Sequence, residues 1–127
     1  MNGVIVLAPT SIPVMYVDTP GVNQTVAQFF MIGGWAVDLG GSAGTGVSAV
    51  HVWAFPVSGA PAIFVGAAPT GGQRPDVGAY FGNGRFSASG YSVPGHLPPG
   101  DYYLVVYAWS TVVQNFNHWQ LVQIRVV

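Results

Sequence analysis

The sequence predicts an all-β sandwich of about seven antiparallel strands, with a candidate extra strand at the N-terminus. Three observations lead there. Val, with 21 copies, dominates the apolar residues together with Tyr, Phe and Trp, while Glu and Lys are absent and Leu is scarce. This is the chemistry of strands rather than helices. Gly (18) and Pro (10) interrupt nearly every ten-residue window as far as Gly100, too often for helices of ordinary length. Between the interruptions lie short apolar stretches at regular spacing, the layout of a sandwich or barrel. So much Gly and Pro can also signal disorder. A chain that is 50% hydrophobic and 13% aromatic, however, has the apolar material to offset its chain entropy. Its 127 residues make one domain.

Taken in order, residues 1–12 stand apart. Val4, Ile5, Val6 and Leu7 are a candidate strand, followed by a stiff Pro-containing connector. That strand either lies on the edge of its own sheet or is donated to a neighbouring copy. Residues 13–127 form the sandwich. Residues 14–17, 62–66 and 89–93 read as weaker strands. Residues 30–38 alternate Phe30, Ile32, Gly34 and Ala36 against Met31, Gly33, Trp35 and Val37. Residues 47–55 set Val50, Val52 and Ala54 against His51, Trp53 and Phe55. Residues 80–86 carry Asn83-Gly84 between aromatics, a strong hairpin signal. Residues 101–110 set Tyr102, Leu104, Val106 and Ala108 against Tyr103, Val105, Tyr107 and Trp109. The C-terminal run sets Val122, Ile124 and Val126 against Leu121, Gln123, Arg125 and Val127.

An ordered series of motifs adds to this reading. Asp18-Thr19-Pro20-Gly21, Thr25-Val26 and Gly34-Trp35-Ala36-Val37-Asp38 are followed by Val50-His51-Val52-Trp53-Ala54-Phe55-Pro56. Gly72-Gln73-Arg74-Pro75-Asp76-Val77-Gly78 comes next, and then Leu97-Pro98-Pro99-Gly100-Asp101-Tyr102-Tyr103-Leu104-Val105-Val106-Tyr107-Ala108. The series resembles the immunoglobulin-like repeat domains of bacterial secreted and cell-surface proteins, over about residues 14–127. The resemblance implies an immunoglobulin-like antiparallel β-sandwich that serves outside the cell or on its surface as a spacer, display or interaction module. It carries over no catalytic residue. Independently, Leu97, Pro99-Gly100 and Tyr102 have the layout of a tyrosine corner, in which a phenol bonds back to nearby backbone. The chain departs from the family in charge, since such domains commonly have more polar outer faces.

If Val50, Val52, Leu104, Val106, Val122 and Ile124 face the core, the opposite side of the same three strands points outward. It then carries His51, Trp53, Phe55, Tyr103, Val105, Tyr107, Trp109, Trp119, Leu121 and Arg125. A half-exposed sheet normally alternates apolar with polar residues, whereas this one alternates apolar with aromatic. Three coverings are open: residues 57–78 or the N-terminal segment of the same chain, a second copy, or a sugar stacked on the rings. Only Arg125, Asn115, Asn117 and His118 are placed to hydrogen-bond a sugar there.

Charge and motif spacing exclude much else. Only 6% of residues are charged, and no basic patch exists to bind nucleic acid or an anionic membrane. With no Cys there is no disulfide or thiolate metal site. No apolar run reaches the roughly 18 residues of a membrane helix, and Met1-Asn2-Gly3 carries no basic signal-peptide region. His51, His96 and His118 match no metal-ligand spacing and read as one strand and two turn residues. Asp18, Asp38, Asp76 and Asp101 read as turn or cap residues, Asp76 pairing with Arg74. Asp38 and the glycine-rich loop after it form a plain loop or, alternatively, part of a calcium site. No Ser, His and Asp converge and no carboxylate pair appears, so no enzyme and no cofactor are expected. The expected function is a structural module of a bacterial surface or extracellular assembly, a homo-oligomer or filament subunit. The second reading is a polysaccharide-binding module that stacks sugars on Trp53, Trp109, Trp119 and Tyr107.

Overall fold

A computed structural model describes Gly3 and residues 10–127; the candidate strand of Val4, Ile5, Val6 and Leu7 lies outside the described residues. Nine strands are found among the described residues: β1 (Pro13–Thr19), β2 (Gln24–Val26), β3 (Phe29–Asp38), β4 (Val47–Pro56), β5 (Ile63–Ala68), β6 (Thr70–Gly72), β7 (Gly90–His96), β8 (Gly100–Ser110) and β9 (Asn115–Val126). One sheet has the order β1-β3-β7-β6 and the other β2-β9-β8-β4-β5. Every pairing is antiparallel except β2 with β9. This is an immunoglobulin-like sandwich. Seven strands form its two-sheet frame, and β2 and β5 extend the second sheet at its two edges.

Alternation along the strands places the core. Val50, Val52, Ala54, Leu104, Val106, Val122, Ile124 and Val126 point between the sheets and are buried, meeting Met15, Ile32, Ala36, Tyr91 and Val93 from the first sheet. The tyrosine corner closes one end: Tyr102 is buried, and its hydroxyl donates to the Pro98 carbonyl at 2.8 Å. At the other edge the Tyr91 hydroxyl donates to the Tyr16 carbonyl at 2.7 Å. That contact needs Gly34, because a Cβ there would lie 2.0 Å from the Tyr16 carbonyl oxygen.

Two local expectations are corrected. Helix, disfavoured by the composition throughout, does occur: α1 (Pro75–Phe81) is a short helix with Pro at its start and Asp76 in its first turn. Residues 80–86 are not a hairpin. Gly82 ends α1 with φ 62°, and the Asn83 side chain accepts from the Arg85 N–H to open a 3-10 turn, Gly84–Phe86. The short strands β2 and β6 carry no alternation signal of their own and are set by their neighbours. The helix exists for a tertiary reason, since seven residues are too few to hold a helix in water. Val77 and Phe86 are buried over Trp35 and Val37, so α1 and the turn after it form a small second core on the outer face of the first sheet.

The alternation can be tested at its centre. A carboxylate at Leu104 would be buried without a partner, at a cost of about 3–5 kcal/mol. Leu104→Asp is expected to abolish cooperative folding, as followed by thermal melting; a melt at the parent temperature would place Leu104 outside the core.

Candidate functional site: an aromatic sheet face

The outward side of the second sheet is built row by row from the register. Phe55 pairs with Tyr103, and Tyr103 with Gln123. In the next row Phe64, Trp53, Val105 and Leu121 are successive partners across four strands. His51, Tyr107 and Trp119 make the third row, and Trp109 pairs with Phe116 in the fourth. The rings touch in a continuous series. Trp53 lies 5.1 Å from Phe64, His51 5.5 Å from Phe64 and 4.7 Å from Phe116, and Phe116 5.1 Å from Trp109. Tyr107 joins Phe116 to Trp119 at 6.4 and 6.3 Å. These separations fall within the range of favourable aromatic pairing.

Phe55, Tyr103, Val105, Tyr107, Trp119 and Leu121 line a shallow groove of about 410 Å³ along this face. Trp119 is 55% exposed, Leu121 53% and Phe64 46%, whereas Val105 is buried beneath them. All ten residues expected on this face are on its strands. Arg125, however, lies at the sheet's far end, where its Nε donates to Asp101 at 2.9 Å. Two further members, Phe64 and Phe116, are missing from the sequence reading. Phe64 was visible as the outward residue of β5. Phe116 was not, because an irregularity in the β8–β9 register between Ala108 and Trp109 changes which residues face outward beyond Trp119.

The coverings divide on the same geometry, except that most of the N-terminal segment lies outside the described residues. Residues 57–78 do not fold over the face: β5 extends the sheet beside β4, and β6 crosses to the other sheet. The segment that does cover a sheet, α1 with its following turn, lies on the opposite side of the sandwich. Of the polar groups expected to serve a sugar, Asn115 is exposed at the start of β9 and the other three are turned to other contacts. Arg125 holds Asp101, the Asn117 Nδ2 donates to the Ser11 Oγ at 2.8 Å, and His118 pairs in register with inward-facing Ala108. His96 and His118 lie in strands rather than turns. No group of three His or acidic residues able to hold a metal is found among the described residues.

Asp38 is not a surface turn residue. It is fully buried at the end of β3. One oxygen accepts from the Ile12 N–H at 2.8 Å and the Gly40 N–H at 2.9 Å, and the other from the Ser110 Oγ at 2.6 Å and the Ser11 Oγ. The carboxylate is thereby surrounded by donors, the opposite of what a calcium ligand requires. It ties the connector before β1 to the ends of β3 and β8. Burial alone raises its pKa, but the hydrogen bonds from Ser11, Ser110, Ile12 and Gly40 outweigh burial and hold it below the ordinary 3.8. Asp18 and Asp101 lie within strands, and Asp76 lies in α1.

No family model matches the sequence, and no curated protein matches it. Among solved structures, the chain is similar to the crystal structure of domains 4 and 5 of the S-layer protein SbsC. The two share 14% sequence identity with a TM-score of 0.46, over 93% of this chain and 54% of the other. This chain thus spans about half the length of that structure.

Because the Asp38 carboxyl is depressed on folding, its contribution is complete above its unfolded value and is lost as pH falls through the folded value. Asp38→Asn is expected to lower stability at neutral pH by about 1.5–3 kcal/mol, the range for hydrogen bonds to a charged group. It should also flatten the acid-side loss of stability in melts recorded across pH. A variant with the parent's stability at neutral pH would show that the buried carboxylate contributes nothing net.

Proposed function

We propose that this chain is a non-catalytic structural module of a bacterial cell-surface or extracellular assembly, and that it associates with further copies of itself through the aromatic face of its second sheet. One observation carries the reading: among the described residues, a continuous aromatic surface without a charged side chain in its rows stands uncovered. Its five most exposed members present on the order of 500 Å² of apolar surface, in the range of a monomer's functional patch. That is less than the roughly 800 Å² a stable partner buries, so the patch would be the centre of an interface with a wider rim. The second copy is favoured because the patch has no fixed charge to recognise a charged partner and none to repel its like. The resemblance of the motif series to bacterial surface repeat domains supports the cellular setting.

A sugar on the same face is the weaker reading. Rings are present, but of the groups that would orient a pyranose, Arg125 and the Asn117 amide N–H are bonded within the protein.

Light scattering coupled to size exclusion tests self-association. The parent chain is expected to run as a dimer or larger species, and Trp119→Arg with Leu121→Arg as a folded monomer. These positions are more than half exposed, so the change should leave the melting temperature nearly intact. A monomeric parent at every concentration, or an assembled double variant, would sink the proposal.

A further inference from the structure

The chain has three Arg and four Asp, and their placement is uneven. Arg125 pairs with Asp101, Asp38 is buried, and Arg85 donates to the Gly41 carbonyl at 2.7 Å. The other three, Asp18, Arg74 and Asp76, converge on one groove of about 450 Å³ between β1 and α1, on the outer side of the first sheet. The Arg74 Nε and Nη2 grip Asp76 at 3.0 and 2.9 Å, and its Nη1 reaches Asp18 at 2.6 Å. Tyr16, Trp35 and Tyr80 complete the lining. Trp35 is nearly buried at the floor, with the Tyr16 ring 5.2 Å away, while Tyr16 and Tyr80 are 59% and 79% exposed.

A strap joining α1 to β1 needs the ion pairs but not two exposed tyrosines beside them. The groove volume is that of a small-molecule site, roughly 300–1,000 Å³. Its charges restrict the ligand. The central guanidinium opposes a cation, and the two flanking carboxylates oppose an anion. A neutral polyhydroxyl ligand meets both: its hydroxyls donate to carboxylate lone pairs and accept from guanidinium N–H groups not spent on Asp18 and Asp76. A ring with one apolar face also matches an exposed phenol. We propose that this groove binds a neutral saccharide, with a pyranose face against Tyr80 or Tyr16 and its hydroxyls bridging Asp18, Arg74 and Asp76. The site is on the opposite sheet from the aromatic face, so the same module can associate through one side and hold glycan on the other.

The test is titration of the full chain with methyl β-D-glucopyranoside, N-acetyl-D-glucosamine and soluble β-linked oligomers of each, followed by amide chemical shifts. At least one probe is expected to move the amides of Tyr16, Arg74 and Tyr80. Tyr80→Ala should weaken that binding about tenfold, the effect of losing one stacking contact, while Tyr80→Phe retains it and Trp119→Arg leaves it unchanged. No response to any probe would overturn the proposal. So would shifts confined to Trp53 and Trp119, or unchanged affinity in a folded Tyr80→Ala.

Discussion

Period-two alternation along β4, β8 and β9 is the constraint on which the rest of the molecule depends. Three adjacent strands each bury one set of aliphatic side chains, so their register is fixed jointly. A slip of one residue would exchange the whole inward set for the outward one. Leu104, Val106 and Val52 cannot be buried without turning Tyr103, Val105, Tyr107 and Trp53 outward. The aromatic face is therefore the necessary complement of the core.

The two outer faces of the sandwich meet that consequence differently. On the first sheet, Trp35 and Val37 also point outward, and the chain covers them with α1 and the turn that follows. Covering those side chains removes apolar surface from water at about 25 cal/mol per Å², which is enough to hold a helix too short to stand alone. On the second sheet the connection after β4 is spent on β5, which widens the aromatic face instead of closing it. One side is thus finished by the chain itself, and on the other no described residue covers the aromatic rows.

Scarcity of charge makes the position of each charged group informative. Asp38 sits where the connector, β3 and β8 meet, and its four donors let a buried carboxylate remain ionised. Arg85 fixes the glycine-rich loop through a backbone carbonyl, and Arg125 is held by Asp101. What remains gathers beside Tyr16 and Tyr80, in a charged groove on the sheet opposite the uncharged aromatic surface.

Alternation in residues 47–55 and 101–110 was enough to assign the inward and outward sets, because a strand's side-chain period is fixed by backbone geometry alone. Leu97 and Tyr102 likewise announced the tyrosine corner, whose partner lies four residues away. The features decided by tertiary structure are those whose cause is distant in sequence. Pro75-Asp76-Val77 became helical because Trp35, some forty positions earlier, needed a cover. Asn83-Gly84 became a cap rather than a hairpin for the same reason. Phe116 joined the aromatic face through an irregularity that only pairing with β8 creates, and Asp38 became a buried anchor because Ser11 and Ser110 converge on it from opposite ends of the chain. By itself the sequence determined which side of each strong strand faces the core. Which outer face is covered, and where the few charges meet, depended on long-range packing, since those choices are energetic only once the sheets are stacked.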